Sequence, residues 1–150
     1  MSKVADLGDH MGYLLRVVSN AVSQEFARKL AGEDVTVAEW GMLRSLHGSD
    51  ATAPTVLAEK MGMTKGAISK LAARLIDKGL IERSENDADK RAHSLSLSMA
   101  GAQKVPILAK LADGNDAAFF AVLSREEERR LRDMLHSLID LHGLTRMPLD

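Results

Sequence analysis

The chain has 150 residues, enough for one domain or for a small lobe with extensions that share a core with a partner. Hydrophobic residues make up 45% but aromatic ones only 3%, so the core must be built from Leu, Ala, Val and Met, which favours helices over a β-sandwich. The formal net charge is −1 and there is no Cys, which excludes disulfides, thiolate redox sensing and Cys-ligated zinc and fits a cytoplasmic protein.

At the N-terminus Asp6 and Asp9 interrupt the apolar residues, so no signal peptide is expected, and no apolar run approaches a membrane span. Leu7, Met11, Leu14, Leu15, Val18, Val22, Phe26 and Leu30 then recur at helical spacing. They predict one amphipathic helix over 7–30, about 35 Å long at 1.5 Å per residue, too long for a small domain to cover alone. Gly32 and Glu33-Asp34 end it or follow its end.

Thr36-Val37-Ala38-Glu39 is a capping box, in which a hydroxyl accepts the amide three residues on and the Glu reaches back. It opens a second helix with Trp40, Leu43 and Leu46, ending near Gly48. Pro54 suits the first turn of a third helix that runs to about Met61, and Gly62 can take the positive φ needed to leave it. Thr64 caps a fourth helix, Lys65 to about Lys78, with Ile68, Leu71, Leu75 and Ile76 buried and Gly79 as its stop.

Leu80–Arg83 and Ser94–Ser98 are expected as short strands, the second alternating Leu inward and Ser outward, with a polar tip over 84–93. From Met99 the pattern is helical again through Val105, Leu108, Leu111 and Ala112; Pro106 is expected near its start or at a kink, and Gly114-Asn115 weaken it. Ser124-Arg125-Glu126-Glu127 is a second capping box. It opens a last helix with Leu131, Met134, Leu135, Leu138 and Ile139 on one face and Glu126–Arg130 and Glu128–Arg132 pairs on its surface.

Ala58, Gly62, Ile68 and Leu71 have the spacing of a helix-turn-helix: a small residue for close crossing, a turn glycine, and apolar residues that lock the second helix on the first. Between Thr64 and Lys78, Lys65, Lys70, Arg74 and Lys78 stand against Asp77 alone, a local net of +3 on a nearly neutral chain. That is a phosphate footprint on one helix. With a hairpin directly behind it, the unit is a winged helix-turn-helix that binds double-stranded DNA. Thr64, Lys65, Ala67, Ser69, Lys70 and Arg74 are the candidate contacts on the recognition helix, Lys65 and Ser69 for base edges and Lys70 and Arg74 for phosphates.

Lys78-Gly79-Leu80-Ile81-Glu82-Arg83, then Asp89-Lys90-Arg91, then Leu95-Ser96-Leu97-Ser98 and Gly101 resemble the MarR-type transcriptional regulators, and the likeness covers nearly the whole chain. The resemblance implies a mainly α fold, with a winged helix-turn-helix lobe at about 36–98 and dimerisation helices at about 5–31 and 99–143. It implies Arg91 at the wing tip in a minor groove, Asp89 ordering the wing, and Lys90 beside them. The chemistry agrees, since a hairpin-tip Arg suits a narrow, electronegative groove and a nearby carboxylate can fix its fork.

The family's usual mode, by the same resemblance, is a ligand-responsive repressor acting as a homodimer on a pseudo-palindromic operator. The three flanking apolar stripes, more than a small lobe can bury, point to the dimer independently. The family commonly senses small aromatic or phenolic acids, for which Tyr13, Arg16 and Trp40 are the candidate contacts. No cofactor is implied. His10, His47, His93, His136 and His142 are too scattered for a zinc site.

An enzyme is disfavoured because there is no phosphate-binding Gly loop, nucleophile elbow or His–Glu zinc motif, and Asp87 with Asp89 on a hairpin tip is a poor acid–base pair. The alternative is a winged-helix module that binds protein instead of DNA. Its mark would be loss of the basic recognition helix, which this chain keeps.

Overall fold

A computed structural model describes residues 3–86 and 89–144, with the side chains of Asn86 and of residues 89–92 outside the described set. After one 3-10 turn at Leu7–Asp9 come α1 (Met11–Ala31), α2 (Val37–Leu46), α3 (Pro54–Met61) and α4 (Lys65–Asp77). An antiparallel pair, β1 (Ile81–Asn86) and β2 (Asp89–Leu97), precedes α5 (Met99–Phe119), a 3-10 turn at Phe120–Val122 and α6 (Arg125–Leu141). The fold is mainly α with a winged helix-turn-helix at its centre.

The helix ends follow from local chemistry. Thr36 Oγ1 accepts the Glu39 amide at 3.1 Å while Glu39 Oε1 accepts the Thr36 amide at 2.8 Å, and Ser124 and Glu127 repeat the device at the start of α6. α3 and α4 each stop on a left-handed glycine, Gly62 (φ 67°) and Gly79 (φ 74°). The next amide then reaches back five residues, Met63 to Ala58 at 2.9 Å and Leu80 to Leu75 at 3.0 Å. α1 ends the same way, with Val35 N–H donating to the Leu30 carbonyl at 3.1 Å. Its left-handed residue, however, is Asp34 (φ 56°), the one non-glycine with positive φ among the described residues.

One apolar core joins the end of α1, all of α2–α4, the sheet and the first half of α5. Leu30, Leu43, Leu57, Ile68, Leu75 and Leu108 are completely covered, each worth about 1.5–3 kcal/mol relative to exposure. Thr52 and Leu95 exchange backbone hydrogen bonds of 2.9 and 2.8 Å, fastening the α2–α3 loop to the wing. α5 is fixed at its start, where Ser98 Oγ donates to the Gly79 carbonyl at 2.6 Å and Ser98 N–H to the Leu80 carbonyl at 3.0 Å. Outside this core the pattern changes. Leu30 is the only residue of α1 that is buried, and α6 buries none.

Four expectations are corrected. The first helix begins at Met11, because His10 is extended (ψ 126°) and cuts Leu7 off in its own turn. Within α4 Ala72 joins Ile68, Leu71 and Leu75 in the core, while Ile76 is only half-buried. The strands reach further into the polar segment than alternation alone indicated, to Asn86 and from Asp89, because backbone pairing needs no apolar side chain. The register shifts there from Glu85↔His93 to Asn86↔Asp89. α5 runs unbroken through Pro106 and Gly114-Asn115. Pro106 and Ala102 are both exposed, so water can replace the missing amide, and Asn115 is buried with its Nδ2 donating to the Val22 carbonyl of α1 at 3.2 Å.

Candidate nucleic-acid interface

The recognition helix is α4, presented by the turn Gly62–Thr64. Thr64 Oγ1 accepts the Ala67 amide at 3.1 Å and so fixes the first turn. Lys65, Ser69, Lys70 and Arg74 are exposed and Ala67 is half-buried, while the opposite face is core. At about 100° per residue, positions 65, 69, 70 and 74 fall at about 0°, 40°, 140° and 180°, so they span the outward half of the helix. That half offers two ammonium groups, a guanidinium and a hydroxyl.

Asp89, Lys90 and Arg91 belong to β2 by backbone, and Arg91 falls between the two registers of the hairpin. Their side chains, like all of Asp87, lie outside the described residues.

Two features escaped the sequence reading. Gly66 lies on the same exposed face, and a Cβ there would meet nothing within 4 Å. No packing contact among the described residues requires that glycine. The signal was a glycine in the first turn of an otherwise well-patterned helix.

The second is Lys78, counted among the basic residues of the helix. Its ammonium donates to the Asp34 carbonyl at 2.7 Å and to Glu39 Oε1 at 3.1 Å, and stands 3.0 Å from Glu39 Oε2. Its charge is paired with Glu39 of α2. Glu39 is completely covered. Burial works against its ionisation but is outweighed by the Thr36 amide and the Lys78 ammonium, so the carboxyl sits below its usual range. With the folded value depressed, this stabilisation is present above the unfolded carboxylate range and is lost as pH falls through the folded value.

The proposed effector residues are not brought together. Trp40 packs edge-on against Phe26, ring centroids 6.4 Å apart, as a partly buried member of the core margin. Arg16 instead lines an open cleft of 640 Å³ with residues of α1 from Gly12 to Ala27 and with Val37. Tyr13 is exposed and, like Trp40, is not among the residues lining that cleft. Phe26 lies 10 residues beyond Arg16, about 15 Å along the helix axis. Among the described residues no three His, Asp or Glu side chains cluster to hold a metal, and no helix is long and apolar enough to cross a membrane.

The family model described as MarR family matches residues 33–92, the segment from the α1–α2 link to the wing. Across more of the chain, an HTH-type transcriptional regulator of Bacillus subtilis (strain 168), YdcH, is 30% identical over 130 residues, 84% of this chain and 88% of the relative. The chain belongs to the MarR family. A probable transcriptional regulator from Pseudomonas aeruginosa superposes with a TM-score of 0.80 at 29% identity, covering 89% of this chain and 100% of that one. The S. aureus MepR–DNA complex superposes with a TM-score of 0.77 at 25% identity, covering 87% and 97%. This MarR-family chain is thus a DNA-binding regulator of transcription, and the relatives it matches are regulators too.

Proposed function

We propose that the protein is a ligand-responsive repressor that binds a pseudo-palindromic operator as a homodimer, with a lobe at about 36–98 reading DNA and the helices at about 5–31 and 99–143 forming the dimer. The observation that carries the DNA-reading part is the exposed half of α4 bearing Lys65, Ser69, Lys70 and Arg74, on a helix whose other face is core. α4 enters the major groove with Lys65, Ala67 and Ser69 toward base edges, Thr64 and Gly66 close to the backbone, and Lys70 and Arg74 on phosphates. Asp89, Lys90 and Arg91 act from the wing, Arg91 in the adjacent minor groove.

Exposed Leu14, Leu15 and Val18 on α1 and Leu135, Leu138 and Ile139 on α6 support the dimer, since a lone chain leaves this apolar surface in water. Two-fold symmetry then spaces the half-sites about one helical turn apart. The effector we assign to the cleft on α1 is a small aromatic or phenolic acid, because Arg16 is the one charged side chain lining it and would pair with a carboxylate. Tyr13, on the same helix, and Trp40, packed against Phe26, are not among the residues that line it. A protein-binding module is the lesser reading, because the basic side chains of α4 from Lys65 to Arg74 face outward and make no ion pair among the described residues.

Selection of bound duplexes from a random pool, followed by titration at two salt concentrations, tests the proposal. Sequence-selective, salt-sensitive binding is expected, and absence of binding at low salt removes it. Arg91→Ala is expected to weaken the selected duplex about tenfold or more with melting and dimer mass unchanged. Unchanged affinity would end the wing assignment. Lys65→Ala is expected to relax preference at one base-pair position while the salt dependence stays nearly constant. Equal losses on selected and scrambled DNA would instead make Lys65 a phosphate contact.

A further inference from the structure

Lys78 caps the end of the recognition helix, and its ammonium is paired within the protein. Its ammonium donates to the Asp34 carbonyl at 2.7 Å and to Glu39 Oε1 at 3.1 Å, and stands 3.0 Å from Glu39 Oε2 as an ion-pair contact. Asp34 lies in the link between α1 and α2 and Glu39 in the first turn of α2, both far from Lys78 in sequence. The adjacent residue, Glu33, holds Lys104 of α5 with Oε2 2.7 Å from its Nζ. Two neighbouring residues of one link thus grip the end of α4 and the second turn of α5.

The backbone supports the same reading. The other left-handed helix stops, after α3, α4 and α6, are Gly62, Gly79 and Gly143, whereas the stop after α1 is Asp34. An Asp takes that conformation less readily than Gly. Here its carbonyl is turned onto Lys78, and its own carboxylate lies 3.8 Å from the same nitrogen. Val37, the first residue of α2 and part of the Thr36–Glu39 capping box, also lines the cleft that contains Arg16.

We propose that Lys78 is a positioning residue: held by Asp34 and buried Glu39, it sets the angle of α4 against the α1–α2 link, which the Glu33–Lys104 pair fixes to α5. This rests on the DNA-binding reading and adds to it. The orientation of the reading head is set by an ion pair that never touches DNA. An occupant of the cleft that displaced Val37 would act on DNA through Glu39 and Lys78.

The two residues differ in a way that makes the test sharp. Glu39 is completely buried and cannot touch DNA, and removing a negative charge strengthens DNA binding by electrostatics alone. The proposal predicts the opposite sign. Binding is measured on a duplex selected by the wild-type protein and on a scrambled duplex of equal composition, well below each variant's melting midpoint. Glu39→Gln and Lys78→Met are each expected to lose about tenfold in preference for the selected duplex, the scale of one lost base-pair contact. The salt slope should stay unchanged, and Lys78→Arg should keep most of the preference.

The double variant Glu39→Gln/Lys78→Met removes the unpaired buried charge and is expected to melt higher than Lys78→Met. It should discriminate no better than either single change. If Lys78→Met weakens both duplexes alike and lowers the salt slope by about one, Lys78 is a phosphate contact and the proposal falls. If the folded double variant discriminates like wild type, the pair serves only the fold and the proposal falls too. Failure of the wild-type protein to select any sequence would instead sink the DNA-binding reading beneath it.

Discussion

Gly101→Ala is expected to destabilise the fold by about 2–3 kcal/mol, lowering the melting midpoint by about 5–10 °C. A Cβ at Gly101 would lie 2.0 Å from the Leu80 carbonyl oxygen and 3.0 Å from its carbon. Those are backbone atoms and cannot swing aside. The same carbonyl accepts the Ser98 amide, and Ser98 Oγ donates to the preceding Gly79 carbonyl, so both sides of the contact are already fixed. The clash sits where α5 docks on the turn that ends α4, so the recognition helix should loosen together with the fold. Gly114→Ala is the matched control: nothing lies within 4 Å of its Cβ position, and in a helix interior the change should stabilise by about 0.5–1 kcal/mol. Thermal melts by circular dichroism at one protomer concentration compare the two, and a Gly101→Ala protein that melts like wild type would refute the contact.

Much of this architecture was legible because it rests on interactions within four or five residues. The capping boxes at Thr36 and Ser124, the left-handed Gly62, the Thr64 cap and the outward half of α4 all follow from local spacing. What escaped depends on contacts between distant residues. Lys78 looked like part of a phosphate footprint because its partners, Asp34 and Glu39, are 44 and 39 residues away. Asn115 looked like a helix weakener, yet its amide reaches α1 across 93 residues. Gly101 carried a family likeness, but its reason, the Leu80 carbonyl, exists only once α5 is docked. Trp40 suited a ligand cleft by residue type, and packing against Phe26 placed it at the core margin instead. The side chains of Asp89 and Arg91 lie outside the described residues, and their wing-tip roles rest on the family resemblance, with which the chemistry of a hairpin-tip Arg agrees.

The largest effect on DNA binding is expected from Leu138→Asp. In the single chain Leu138 is 46% exposed, and α6 buries none of its residues, so the change should cost the protomer fold little. Its neighbours on the stripe, Leu135 and Ile139, are 38% and 41% exposed. The apolar side of α6 therefore has no adequate cover within its own chain. In the proposed homodimer a partner covers it, and an aspartate there puts an unpaired carboxylate into the apolar contact, an arrangement that strongly opposes association. The variant should sediment as a monomer at concentrations where wild type is a dimer. Two half-sites would then be bound by separate molecules, and the loss of linkage should weaken binding of the selected duplex by about 100-fold or more. The single-lobe contacts remain, so binding to a scrambled duplex should fall far less. Arg129→Ala is the control on the same helix: nine residues from Leu138, it lies about half a turn round on the charged side, where Arg129 pairs with Glu126. It should leave both mass and affinity unchanged. A Leu138→Asp protein that remains dimeric would move the dimer contact away from the α6 stripe. One that is monomeric but binds the selected duplex as tightly as wild type would remove the two-fold reading of the operator altogether.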